Sequence, residues 1–324
     1  MRDLAILEGD DVPLPDGYVL RHPGPDEAAA VQAVLDDCET ADTGEQRRHD
    51  DDVATDWRSR ECHPEEDWWV AVAADGFIAA VGWVWPETRA EVTADHYVHP
   101  DHRGRGLGEY MLDVIEARAA ELPSGTAEAA TRRLVVWCED SDLGRRSSLD
   151  RRGFEVVRQY YEMAIDLRPA PAAPHWPAGI VARGFRAGMD DESVYRADLE
   201  AFSEHHLFRP RSYEEWRVFH VDAADGDVTL WWLAWAGDEL AGYVIPCESD
   251  RGAVIGDLGV RGQWRGRGIG SALLLAAFAT LRDRGQSVAR LYVDAQNVTG
   301  AVRVYEAAGM HVSRRFNVME KPLS

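Results

Sequence analysis

Two short stretches of the sequence concentrate residues suited to binding an anion. Residues 264–274 read WRGRGIGSALL and residues 102–112 read HRGRGLGEYML. In each, glycines alternate with arginines directly ahead of an apolar run. Glycine permits positive φ and lets a ligand approach the bare backbone. If the apolar run is a helix, its first N–H groups are free and its dipole adds about half a positive charge there. Arginines add charge-assisted bonds to phosphate oxygens. The combination predicts capture of a phosphate or pyrophosphate. A Walker A loop is excluded, because it needs Gly-Lys-Ser/Thr and Lys321 is the only lysine in the chain. A dinucleotide-binding turn needs G-x-G-x-x-G and an acidic residue about 20 positions on. Here the glycines fall at 266, 268 and 270, and that acidic residue is lacking.

The elements that must position these clusters recur once along the chain. GYVLR at 17–21 resembles GIVAR at 179–183, and RGRGLG at 103–108 matches RGRGIG at 265–270. Gly153-Phe154 followed by EVVRQYYEM pairs with Gly309-Met310 followed by HVSRRFNVM. Preserved order with one changed loop length indicates duplication of a whole domain. Between the copies, PAPAAPHWPAG at 169–179 favours an extended connector. We therefore expect domains at 1–168 and 179–324, joined by a Pro/Ala-rich linker at 169–178. In the second copy GIVARGF reads as a strand and DDESVYRADLEAF as a helix with an acidic first turn. VTLWWLAWA and ELAGYVIPCE read as a hairpin about Gly237-Asp238, and AVIGDLGV as the strand entering the glycine cluster. Leu274, Ala277, Phe278 and Leu281 then share one helical face, followed by a strand, a short helix and a final strand. The fold class expected is α/β, once per domain: a mixed, mostly antiparallel sheet flanked by helices.

Composition limits the partners. The 324 residues suffice for two domains of roughly 150 residues each. A formal net charge of -22 argues against nucleic acid, which needs a basic footprint, and suits a cationic small substrate. No apolar stretch approaches the roughly 20 residues that span a bilayer. Cys38, Cys62, Cys138 and Cys247 are scattered, as expected of reduced thiols in the cytoplasm rather than a disulfide framework or a zinc site. We expect a monomer or homodimer with no membrane, nucleic-acid or metal partner.

Arg265-Gly266-Arg267-Gly268-Ile269-Gly270 resembles the R/Q-x-x-G-x-G/A signature of the GNAT superfamily of acyl-CoA-dependent N-acetyltransferases. LYVDAQNVTGAVRVYEAAGM at 291–310 resembles the next conserved block of that superfamily, at the expected separation. The resemblance covers nearly the whole chain as a tandem pair, an arrangement that mycothiol synthases also have. It implies acetyl-CoA as co-substrate, with Arg265, Gly266, Arg267, Gly268, Ile269 and Gly270 around its pyrophosphate. Asn297 and the backbone from Leu258 to Val260 would line the pantetheine arm, the latter polarising the thioester carbonyl.

By position in the motif Tyr305 is the expected general acid for the departing thiolate. A tyrosine near pKa 10 donates to a thiolate near 8.5 downhill only if the site narrows that gap. Asp257, at an inward position of the strand entering the turn, is the candidate general base, directly or through water; attraction of a cationic amine is the alternative role. The resemblance puts acceptor recognition in SEHHLFRPRSY at 203–213, with Glu204, His205, His206 and Arg209 as candidates. His205 and His206 lack a third metal ligand at suitable spacing.

The first copy keeps Arg103, Gly104, Arg105, Gly106 and Gly108, and its Asp95 matches Asp257. Leu149 stands where Tyr305 does and Ser141 where Asn297 does. That copy is expected to bind CoA phosphate at most and to be catalytically weak or silent. The expected activity is transfer of an acyl group, most simply acetyl, to a primary amine of a small polar molecule such as an aminosugar, amino-acid conjugate or antibiotic. Alternatives are a mycothiol synthase, a non-catalytic acyl-CoA-binding regulator and a protein N-acetyltransferase.

Overall fold

The computed structural model describes residues 14–44, 53–58, 62–86, 90–122, 132–203, 210–222, 227–249, 252–297 and 300–323. The chain folds as two compact units, one of residues 1–158 with 316–324 and one of residues 159–315. The division falls inside two strands, not in the Pro/Ala-rich stretch at 169–178. Strand pairing is the reason, since residues 316–322 pair with Arg133–Glu139 of the first unit and residues 160–166 with Val288–Asp294 of the second.

The first unit contains β1 (Tyr18–Arg21), α1 (Ala28–Thr43), α2 (Val53–Asp56), α3 (Pro64–Asp67), β2 (Trp68–Ala73), β3 (Ile78–Trp85), β4 (Glu91–Val98), α4 (Leu107–Glu121), β5 (Arg133–Glu139), α5 (Leu143–Arg151) and the start of β6 (Glu155–Asp166). Strands β1 to β4 pair antiparallel in order, β4 and β5 pair parallel, and residues 316–322 of the last strand pair antiparallel to β5. The second unit takes Tyr160–Asp166 of β6, antiparallel to β11. It continues with β7 (Ile180–Gly184), α6 (Asp191–Phe202), α7 (Tyr213–His220), β8 (Trp232–Ala236), β9 (Glu239–Ser249), β10 (Gly252–Val260), α8 (Ile269–Asp283), β11 (Val288–Asp294), α9 (Ala301–Ala307) and the start of β12 (His311–Pro322). Among the described residues only β10 and β11 pair parallel there. Each unit is thus a mixed, mostly antiparallel sheet with helices, as its sequence predicts.

The helix after each glycine cluster forms as its spacing requires. In α8 the side chains of Leu274, Ala277, Phe278 and Leu281 are buried and pack on Val244, Ile255 and Leu291 of the sheet. Trp68, Trp69 and Trp231 are core, and the half-buried Trp232 donates from its indole to Thr280 Oγ1 at 2.9 Å. Two local expectations differ. Residues 228–230 form a 3-10 turn instead of the start of a strand, because the Asp227 carboxylate accepts from the Thr229 N–H at 2.9 Å and curls the chain. Helix α7 was not foreseen, although Ser212 and Glu215 form a capping box that starts it. Among the described residues no helix is long and apolar enough to cross a membrane, and no three His, Cys, Asp or Glu side chains converge as metal ligands.

Candidate active site

The cleft of the second unit begins where two strands part. Strands β10 and β11 pair only at Ala253–Ala289 and Val254–Arg290. One residue later the pairing with β9 slips by a bulge: Ile255 faces Pro246, Gly256 has no counterpart, and Asp257 faces Ile245. A bulge re-aims the side chains that follow it. Residues 255–260 therefore leave β11, and their backbone on that side has no strand partner. The first unit parts in the same way, with β4 and β5 paired from Glu91–Arg133 to Ala94–Val136 and no further. Its β3–β4 register carries no bulge.

The glycine turn closes one end of this parting. Gly266 and Gly268 have φ of 73° and 85°, values that side-chain-bearing residues rarely adopt, and open space lies where a Cβ would point at either. Gly268 is the N-cap of α8 and supplies no side-chain cap, so no capping side chain occupies the first N–H groups of the helix. The arginines of the motif brace the turn. Arg265 Nε donates to the Val260 carbonyl at 3.1 Å, and Arg267 Nη2 donates to the Gln263 carbonyl at 3.1 Å with its guanidinium 4.7 Å from the Trp264 ring centre. The first unit repeats this: Arg103 Nε reaches the Val98 carbonyl at 3.1 Å and Arg105 Nη2 the Asp101 carbonyl at 2.9 Å. Gly104 and Gly106 have φ of 75° and 89°, and Gly108 lies in the first turn of α4.

Asp257 is set in a cluster of polar groups drawn from four elements. Its Oδ2 lies 3.7 Å from Nδ1 of His220, the last residue of α7. Tyr243 of β9 points its ring over Gly259, where a Cβ would sit 2.3 Å from a ring carbon, and donates its hydroxyl to Asp198 of α6 at 2.5 Å. Burial first, and the charge of Asp198 second, push the Asp257 carboxyl up to about 7, while Arg211 pulls the other way. Burial, aided by Arg211, takes His220 down to about 4, so its imidazole is neutral at physiological pH. Tyr243 stays protonated for the same reason of burial.

Tyr305 is half-buried on α9, the helix that follows β11, and packs on the core of the second unit. Burial and then the charge of Asp257 push its hydroxyl up to about 12. The gap to a thiol therefore widens, opposite to what proton donation needs while Asp257 is charged. The Asn297 N–H donates to the Asp294 carbonyl at 3.0 Å in the loop ahead of α9. Glu204, His205, His206 and Arg209 lie outside the described residues. Sequence reasoning missed His220, Tyr243, Asp198 and Arg211; the S-Y-E-E cap with Trp216 and His220 four residues apart was the available signal.

The first unit answers the same carboxylate differently. Arg145 of α5 donates to Asp95 Oδ1 and, at 3.3 Å, to the His96 carbonyl; the Tyr97 hydroxyl donates to Asp95 Oδ2 at 3.0 Å. Leu149, fully buried, occupies the place of Tyr305. The correspondence holds bond for bond, since Phe154 N–H reaches the Leu149 carbonyl at 3.1 Å and Met310 N–H the Tyr305 carbonyl at 3.0 Å. Ala301 stands in α9 where α5 has Arg145.

Comparison with known proteins agrees with this geometry. Residues 192–310 match the model of the acetyltransferase (GNAT) family, and residues 64–155 that of an acetyltransferase (GNAT) domain. The mycothiol acetyltransferase of Cellulomonas flavigena is 31% identical over 260 residues, covering 74% of this chain and 70% of the relative. That of Sanguibacter keddieii is 33% identical over 236 residues, covering 67% and 70%. Among solved structures, a GCN5-related N-acetyltransferase from Sphaerobacter thermophilus aligns with a TM-score of 0.83 at 33% identity, over 96% of this chain and 97% of that one. A tandem GNAT protein from the clavulanic acid biosynthesis pathway aligns with a TM-score of 0.69 at 18% identity, over 95% and 99%, and speaks to the fold alone. The chain belongs to the GNAT acetyltransferase family and is an N-acetyltransferase built as a tandem of two GNAT domains.

Proposed function

We propose that the second unit transfers the acetyl group of acetyl-CoA directly to a primary amine of a small polar molecule. The observation that carries this reading is the parting of β10 from β11 after Val254, with Asp257 on one bank and Tyr305 on the helix that follows the other. The pyrophosphate would lie on the N–H groups of Arg265–Gly270 and the pantetheine arm along Leu258–Val260, near Asn297. A carboxyl near 7 is divided between its two forms at neutral pH, which suits a group that must accept the amine's proton and release it again. Proton accounting then links the two catalytic residues. With Asp257 ionised, donation from Tyr305 near 12 to a thiolate near 8.5 is uphill by about 5 kcal/mol. As the amine attacks, the N–C bond forms and its proton passes to Asp257, whose charge adds to burial in raising Tyr305 and is now removed. Tyr305 is then a stronger acid than before at the step where the C–S bond breaks, and its proton goes to sulfur. Asp257 and Tyr305 then recover their starting states through solvent.

The first unit lacks both halves of this exchange, since Asp95 is bound by Arg145 and Leu149 has no proton to donate. We assign it no turnover. The test is direct: protein, acetyl-CoA and a panel of amines, with free thiol followed over time. Release that depends on the amine and disappears in Tyr305→Phe supports the enzyme. Binding of acetyl-CoA without release on any amine supports an acyl-CoA-binding regulator instead.

A second reading concerns the acceptor. The curated relatives named above are mycothiol acetyltransferases, which favours the amine-bearing, unacetylated form of mycothiol as the acceptor here. Offering that compound beside simple aminosugars and peptides decides between them. A kcat/KM at least a hundredfold above the other amines identifies it, and an even response across the panel rejects it.

A further inference from the structure

The half-buried carboxylate of the second unit has beside it a group that the reaction above does not use. His220 ends an eight-residue helix that is anchored at both ends. Ser212 Oγ and Glu215 cap its start reciprocally, and Arg217, near its end, pairs with Asp222 at 3.1 Å. The imidazole is 7% exposed and lies among aromatic rings, 5.1 Å from Trp216, 4.9 Å from Phe219 and 6.5 Å from Trp231 between ring centres. A ring packed in this way has little rotamer freedom, so its Nδ1 is a fixed point 3.7 Å from Asp257 Oδ2. The groups facing Asp257 are Asp198 from α6, Tyr243 and Cys247 from β9, Arg211 ahead of α7, Tyr305 from α9 and His220 itself. Among the described residues, His220 is the one basic side chain within 4 Å of that carboxylate.

We propose that His220 is the positioning residue of Asp257: a neutral imidazole that orients the carboxylate toward the acceptor amine without neutralising it. This rests on Asp257 as the base that accepts the amine's proton. The duplicated domain carries the contrast that supports it. Asp95 meets a guanidinium, a permanent cation, which binds it in a largely buried ion pair. Asp257 meets an imidazole that burial keeps uncharged, and Ala301 stands where the first unit has its arginine. A neutral partner restricts the direction of the carboxylate and, as one polar neighbour, tempers its burial without the full charge of a guanidinium. Contacts of this kind are often long in an empty site and tighten when substrate is bound.

The experiment compares His220→Leu, which keeps the packing, with His220→Gln, which keeps a polar group. In His220→Leu the kcat/KM for the acceptor falls about tenfold to a hundredfold, as expected for a base turned out of line. KM for acetyl-CoA stays within twofold. The acid limb of the acceptor kcat/KM profile moves up by at least half a pH unit, because burial then acts on a carboxylate with no polar neighbour on that side. His220→Gln restores most of the activity and returns the limb toward that of the parent. A His220→Leu profile that superposes on the parent's, or a His220→Gln as impaired as His220→Leu, overturns the proposal. If no amine turns over in the parent protein, the functional reading fails. His220 is then judged by 13C NMR titration of the Asp257 carboxyl, whose midpoint must rise in His220→Leu; an unchanged midpoint rejects the positioning role. Thermal melts of both variants separate a folding defect from either result.

Discussion

Arg145 is bound to Asp95 in the first unit as a largely buried ion pair, whereas the matching Asp257 of the second unit meets no guanidinium from its own α9. One duplicated carboxylate is therefore held in an ion pair with its own helix, and its twin is not. Removing one partner of such a pair leaves a charge without compensation. Arg145→Ala should destabilise the protein by about 3–5 kcal/mol, whereas replacing both partners in Asp95→Asn/Arg145→Met should cost much less. Chemical denaturation of the two variants measures the difference, and equal losses would remove the ion pair from the account. Both variants should keep the turnover of the parent if the first unit is silent.

Tyr305→Phe removes a hydroxyl and little volume. Thiol release should fall by about 10²-fold or more, the usual loss for a positioned acid, with the affinity for acetyl-CoA nearly unchanged. Isothermal titration with acetyl-CoA beside the activity assay separates the two quantities. Retained turnover would remove Tyr305 from the mechanism.

The raised carboxyl of Asp257 makes a paired prediction about pH. A base near 7 gives an acceptor kcat/KM that climbs through neutral pH, and Asp257→Asn should lose that limb together with most of the activity. Stability runs the other way. A carboxyl whose folded pKa lies above its unfolded value contributes stability below about pH 4, and that contribution is lost as pH rises through about 7. Asp257→Asn should therefore melt at a higher temperature than the parent at pH 8, and the advantage should shrink as the pH is lowered toward 4. A constant difference across that range would show that Asp257 is not penalised by burial.

Gly268 sits at φ 85° where the helix begins, with open space at its missing Cβ. Gly268→Val should cost about 1–2 kcal/mol in backbone strain and place a side chain where the pyrophosphate is expected. KM for acetyl-CoA should rise strongly, while Gly106→Val, strained in the same way in the first unit, should leave KM and kcat nearly unchanged. Steady-state kinetics with varied acetyl-CoA decides it. Equal effects at both glycines would give the first unit a role in turnover.

Local and repeated features were legible in the chain. The RGRGIG turn, the apolar face of α8 and the hairpin about Gly237-Asp238 follow from nearest-neighbour rules, so they fold as their spacing predicts. The helix carrying Tyr305 was likewise readable from its motif. Helix α7 was less so, because its cap follows directly on the polar run SEHHLFRPR and eight residues give little periodicity to detect. The start of β8 was misjudged because one Asp227 carboxylate captured the Thr229 N–H, a contest between side chain and ladder that composition does not resolve.

By itself, the sequence determined that this protein is a duplicated α/β chain, that each copy carries a glycine–arginine turn ahead of a helix, and that only the second copy has a tyrosine behind it. These are properties of residue type and short spacing, which act through local backbone geometry. Only the tertiary structure decided which groups surround the two aspartates. His220, Asp198 and Arg211 come to Asp257 from outside its own hairpin, Tyr243 from the neighbouring strand, and Arg145 comes to Asp95 across 50 residues. Burial and charge act through space, so the difference between the two carboxylates arises where strands part and helices close over them.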